Sequence, residues 1–205
     1  MPTSTRDRIL DVTADLFRQH GFTGTGMKQI VTAANAPFGS LYHFFPGGKE
    51  ELGVEVIRRS GEMYFELFET IVDAAPDLVS GVRDFFAGAA AVLRETDYAD
   101  ACPIATVALE VASSSEPLRQ ATAEVFESWI IRTAGRVAAH GVPNEEARRL
   151  AILIINVLEG AFILSRASRS TEALDVAGDA AIAAVQAALP ASSSPSRDGA
   201  RPEGW

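Results

Sequence analysis

From Thr5 to Leu189 apolar residues recur at spacings of three and four, broken only by short Gly, Pro, Ser and Asn clusters, and nowhere do they alternate as a strand requires. This regularity restricts the chain to an all-α fold. The spacing predicts helices over 5–20, from Thr25 as N-cap to about 34, from Pro37 to just before Pro46, and from Lys49 to about Asp73. Further helices are expected at roughly 78–95, 102–112, 117–140, 144–166 and 172–189. Asn35 is the expected turn residue between the second and third, because Asn tolerates the left-handed region.

Residues 21–52, GFTGTGMKQIVTAANAPFGSLYHFFPGGKEEL, carry the most chemistry. Two short helices flank a tight turn, and a lysine opens a longer helix. Leu41 and Phe45 supply inward anchors, leaving Phe38, Gly39, Ser40, Tyr42 and His43 without a core-building role. Ser40 and His43 can exchange hydrogen bonds with base edges, Gly39 permits close backbone approach, and Phe38 can meet a thymine methyl. Thr25, Tyr42 and Lys49 suit phosphate oxygens, which set position rather than sequence, and Lys28 joins the expected DNA-binding residues.

Charge is divided along the chain. The net charge is −9, yet residues 1–49 sum to +2 and the remainder to −11. A mildly basic head on an acidic body implies two tasks. No uninterrupted apolar span reaches about 18 residues, so no membrane partner is expected. The opening MPTSTRDRIL lacks a hydrophobic signal core, and the lone Cys102 excludes an internal disulfide framework, in keeping with a cytoplasmic setting. Cys102 has no Lys, Arg or His near it in sequence to activate it, while Asp97 and Asp100 would raise its pKa, so it reads as a buried structural thiol. No two histidines have metal-ligand spacing, and no nucleophile–base pair or phosphate-binding Gly loop is present; neither a metal, a cofactor nor an enzymatic activity is expected.

The ensemble Ile9-Leu10, Leu16-Phe17, Gly21-Phe22, Ile30, Ala33-Ala34, Gly39-Ser40-Leu41-Tyr42-His43-Phe44-Phe45 and Lys49-Glu50-Glu51-Leu52 resembles the DNA-binding region of the TetR/AcrR family of bacterial regulators. The PGGKE segment and CPIATVALEVASSSEPLR from Cys102 resemble its LmrA/YxaF-like branch. The family pattern often has a Lys or other polar residue at Phe38, a His or Tyr at Phe44, and Gly at Asn35. The resemblance implies an N-terminal three-helix helix-turn-helix domain over 1–48 and a helical ligand-binding and dimerisation domain over 49–189. It also implies a homodimer that represses transcription on double-stranded, palindromic operator DNA and is released by a small effector. A helical interaction protein with a degenerate head is the alternative.

Within the body, Phe86, Trp129 and Phe162 are either core or effector-cavity residues, and Glu110, Asn156 and Glu159 are either cavity-lining or satisfied polar groups. Ile104 joins the expected lining. The acidic body favours a small apolar effector that is neutral or cationic. The apolar stripe Leu150, Ile154, Val157, Leu158, Ala161, with Val176, Ala177, Ala180 and Ala184, is the expected dimer interface. The Pro/Ser/Gly-rich segment 190–205 is expected to be disordered.

Overall fold

A computed structural model describes residues 4–100 and 102–190; the expected disordered segment lies almost wholly outside them. The described residues form nine helices and no strand. They are α1 (Thr5–His20), α2 (Met27–Ala33), α3 (Phe38–Phe44), α4 (Gly48–Ala74), α5 (Leu78–Glu95), α6 (Pro103–Val111), α7 (Glu116–Ala138), α8 (Asn144–Ser168) and α9 (Glu172–Ala188).

Local chemistry sets most of the ends. Ser4 accepts the Asp7 amide to cap α1, and Asp77 accepts the Ser80 amide to cap α5. Asn35 takes the left-handed conformation at φ 47°, as its side chain permits. One boundary differs from expectation. Gly26, not Thr25, is the N-cap of α2, and the Gln29 carboxamide accepts the Gly26 amide. The Thr25 hydroxyl instead donates inward to the Gly21 carbonyl at 2.7 Å.

Two apolar clusters hold the molecule. One joins Ile9, Leu10 and Phe17 of α1, Ile30 and Val31 of α2 and Leu41 of α3 to Leu52, Val56 and Ile57 of α4, then continues into α6 and α7 through Val107 and Leu118. The other fills the body between α4, α5, α7, α8 and α9, around Phe65, Phe86, Leu93, Leu150 and Leu174. Trp129 packs against both. Helices α4 and α7 approach closely because Gly61 faces Val125, where an added Cβ would come within 2.5 Å of a valine methyl. Met63 and Leu67 of α4 are each 50% exposed, because the helix turns Phe65, Phe68 and Val72 inward.

Helix α8 is also long and apolar enough to cross a membrane by length and composition, with mean hydropathy 1.8 over its best window. Its inner residues Leu150, Ala151, Ile154, Leu158 and Ala161 are consumed by the body core.

Candidate nucleic-acid interface and its connection to the body

Helix α3 is short and held from beneath. Leu41 and Phe45 are fully buried, and the Phe45 amide donates to the Leu41 carbonyl to close the last turn. With the inner side anchored, Phe38 and Tyr42 stand outward at 50% exposure with ring centroids 5.8 Å apart, one helical turn separating them. Gly39 and His43 are exposed, Ser40 is half-buried, and Lys28 on α2 is exposed. A Cβ at Gly39 would meet nothing within 4 Å, so open space lies before the N-terminal turn. The predicted base-facing residues thus share one accessible surface. It offers hydroxyl, imidazole and aromatic groups on a helix narrow enough for a major groove.

Two predicted phosphate contacts stand elsewhere. Thr25 is 1% exposed and its hydroxyl is spent on backbone carbonyls, so its side chain is a structural brace rather than an outward donor. The Lys49 ammonium lies 4.3 Å from the Phe22 ring centroid; burial lowers its pKa, and the nearby Glu110 carboxylate opposes that shift.

Glu110 is exposed rather than lining a cavity. It reaches from α6 to the α1–α2 turn, where its carboxylate accepts the Thr23 amide at 2.7 Å. That approach depends on Gly21 at φ 71°, where a Cβ would fall 1.7 Å from Glu110 Oε1. A second link runs through Arg18 on α1, which lies 3.5 Å from Asp100 before α6 and donates to the Tyr64 hydroxyl of α4 at 3.4 Å. Sequence spacing contains no signal for either link, because each joins residues far apart in the chain.

The remaining effector candidates are dispersed. Phe86 is buried against Gly178 of α9, and Ile104 is fully buried in the head-proximal cluster, so both fill core. Asn156 is exposed on the outer side of α8. Trp129 and Phe162 are half-buried, and the Trp129 indole N–H donates to the Gly61 carbonyl at 2.8 Å. An open depression of about 550 Å³ lies along α7 around Ala123, Ser128 and Ile131 and contains none of the predicted lining.

The expected dimer stripe is also displaced. Leu150, Ile154, Leu158, Ala161 and Ala177 are buried within the chain itself, because these positions face α5, α7 and each other. Val157 and Ala184 are half-buried, while Val176 and Ala180 are exposed. The uncovered apolar face lies one step around α8, at Ile152, Leu153, Ile163 and Leu164, beside Val176 of α9. Leu164 and Val176 are 62% and 64% exposed.

Cys102 is the N-cap of α6 and its thiol pKa is pushed well above the ordinary value, first by burial and then by the Glu159 carboxylate. The shift is in the expected direction, but burial and Glu159 cause it, not Asp97 and Asp100, and the residue is half-buried rather than buried.

Residues 9–56 match the bacterial regulatory proteins of the tetR family, and residues 79–180 match the C-terminal domain of the LmrA/YxaF-like transcriptional regulators. The chain is 38% identical over 160 residues to an uncharacterized HTH-type transcriptional regulator, YxaF, of Bacillus subtilis, covering 78% of this chain and 84% of that one. It is 29% identical over 169 residues to the HTH-type transcriptional regulator LmrA of the same organism, covering 82% and 90%. In three dimensions it is similar to a TetR transcriptional regulator from Legionella pneumophila, with TM-score 0.79 and 24% identity over 93% of this chain and 100% of that one.

Proposed function

The chain belongs to the TetR family of bacterial transcriptional regulators, and from that membership we propose a ligand-responsive repressor. Two copies hold a palindromic operator and release it when a small effector enters the body. In this reading residues 1–48 are the DNA-binding unit and 49–189 the effector and dimerisation unit, working in the cytoplasm, where the DNA is.

The observation that carries the reading is the outward surface of α3. Phe38, Gly39, Tyr42 and His43 are exposed while Leu41 and Phe45 anchor the helix, so the exposed groups do no packing work. Ser40, His43 and Phe38 set sequence preference. Tyr42 and Lys28 contact phosphates, and Lys49 does so by swinging off Phe22. Thr25 supports the turn from inside.

Dimerisation uses the uncovered α8/α9 face of Ile152, Leu153, Asn156, Ile163, Leu164, Val176 and Ala180. A two-fold arrangement of two helices per copy buries these residues in a four-helix interface. It sets two recognition helices about one DNA turn, ~34 Å, or more apart. The links Glu110–Thr23 and Arg18–Asp100 tie the head to α6, so movement of α6 in the body alters the pose of the head. Effector and operator then weaken each other's binding by the same factor.

A gel shift with DNA from upstream of the protein's own gene tests the reading. A discrete complex that resists excess unrelated duplex is expected. Binding that unrelated DNA competes away equally well rejects it.

A further inference from the structure

Lys49 opens α4 beside Gly48 and is one of only two lysines in the chain. Its ammonium does not stand free for a phosphate. It is half-buried, 4.3 Å from the Phe22 ring centroid, and among the described residues it makes no ion pair and no hydrogen bond. An ammonium is strongly hydrated, so resting it on a ring gives up water that something must offset. Two features do so.

The first is a fixed ring. Phe22 meets Phe17 edge-on with centroids 5.6 Å apart, and it abuts α4 at Gly53, where an added Cβ would come within 3.1 Å of the ring. The face is thus already in place, and the side chain that comes to it meets the negative potential of the ring. The second is a charge supplied by another helix. Glu110, near the end of α6, accepts the amide of Thr23, the residue that follows Phe22, at 2.7 Å. Among the described residues no cation forms an ion pair with Glu110, so its charge is left to act on Lys49. The same carboxylate opposes the fall in the Lys49 pKa that burial causes. The α1–α2 turn, the start of α4 and the end of α6 therefore meet around one ammonium.

We propose that Phe22 and Glu110 are positioning residues that act through Lys49: they hold its ammonium in a rest position that DNA must empty before a phosphate can take it. The inference rests on the repressor reading for the phosphate contact at Lys49. It adds that α6 sets the ease of that contact. With Glu110 against the turn Lys49 is retained, and with Glu110 withdrawn it is released. Because a phosphate contact carries no sequence information, the rest position lowers affinity for all duplexes alike.

Nuclear magnetic resonance of whole protein carrying 13C-labelled lysine tests the rest position directly, since only Lys28 and Lys49 give signals. Lys28 is exposed and serves as the internal reference. The ring current should place the Lys49 ε-methylene protons upfield of those of Lys28. Glu110→Gln, which keeps an acceptor for the Thr23 amide, should reduce that shift, and Phe22→Leu should abolish it. An unrelated duplex added at low salt should bring the Lys49 signal towards the Lys28 position. In anisotropy titrations, Glu110→Gln should bind upstream and unrelated duplexes tighter by the same factor, at least about twofold per chain. In a Lys49→Gln background the same change should have no effect. Circular dichroism checks the fold of each variant, and Glu110→Gln alone suffices if Phe22→Leu disturbs the head. A Lys49 signal without an upfield shift, no gain in affinity for folded Glu110→Gln, or an equal gain in the Lys49→Gln background overturns the proposal. Equal affinity of wild-type protein for upstream and unrelated duplexes rejects the repressor reading while leaving these comparisons intact, so the two fail separately.

Discussion

The Glu110 carboxylate accepts the Thr23 amide at 2.7 Å, joining the end of α6 to the turn that leads into α2. An anionic acceptor on an otherwise unpaired backbone N–H is among the stronger hydrogen bonds a surface offers. Here it joins residues 87 apart in the chain, and it works only because residue 21 has no side chain.

Gly21→Ala should therefore cost at least about 1 kcal/mol, both from the positive φ and from the clash with Glu110. Glu110→Ala should cost about 1 kcal/mol or less, since the site is exposed. The double variant should lose less than the two single losses added, because the clash disappears with the carboxylate. Urea denaturation of the four proteins reads the coupling, and strict additivity contradicts the contact. In the repressor reading Glu110→Ala also reduces the factor by which effector weakens operator binding.

On the DNA surface, Phe38→Ala, Tyr42→Ala and His43→Ala should leave stability within about 0.5 kcal/mol, because each side chain is exposed. Tyr42→Ala and Lys28→Ala should weaken binding to all sequences alike. His43→Ala should change the ranking among operator variants. Lys49→Ala should flatten the dependence of log K on log salt by about one per subunit. An unchanged slope would mean that Lys49 stays on Phe22 when DNA is bound.

The uncovered face of α8 and α9 separates two kinds of substitution. Leu164→Arg and Val176→Arg should yield folded monomers with little operator affinity, since both side chains already face outward. Ala161→Arg should instead unfold the body, because Ala161 is 4% exposed within the chain's own core. Analytical ultracentrifugation with circular dichroism distinguishes the outcomes, and wild-type protein that sediments as a monomer at micromolar concentration removes the dimer from the account.

Glu159 predicts a pH dependence of stability. Burial raises its pKa from 4.5 to about 7, so between those values the folded chain binds more protons than the unfolded one. Stability from this group therefore falls as pH rises from about 4.5 and is fully lost above about 7, with a total of order 3 kcal/mol. The charged or titratable neighbours on the facing elements are Cys102, whose thiol pKa burial pushes well up, and Arg166, whose guanidinium donates to the Tyr98 and Ala99 carbonyls. Glu159→Gln should be more stable than wild type at pH 8 and equal to it at pH 4.5. A constant difference at both pH values contradicts a neutral, desolvated carboxyl.

Helix positions were legible from spacing because amphipathic periodicity and caps act locally: the expected 5–20, 78–95 and 172–189 helices end within a residue of α1, α5 and α9. The outward set on α3 was legible for the same reason, since Leu41 and Phe45 as anchors leave the other faces free. Thr25 was misplaced because a threonine before a helix caps it or turns back to a carbonyl according to the loop, and Gly21 places a carbonyl 2.7 Å away. The dimer stripe was misread because α8 is apolar on two sides. Leu150, Ile154 and Leu158 cannot be told from Ile152, Leu153 and Ile163 by periodicity until α5 and α9 choose one side. Glu110 reaching Thr23 is a tertiary contact across 87 residues, and no local pattern encodes it.

The central claim is that α3 reads DNA sequence as part of a two-fold pair. Fluorescence anisotropy with a labelled duplex from upstream of the gene, titrated at physiological salt, tests it most directly. The account predicts saturation at two chains per site and affinity at least about a thousandfold above that for a scrambled duplex. It also predicts that Ser40→Ala with His43→Ala removes most of that ratio while leaving the weak scrambled-duplex binding intact. Equal affinity of wild-type protein for the upstream and scrambled duplexes, or an undiminished ratio in the double variant, contradicts it.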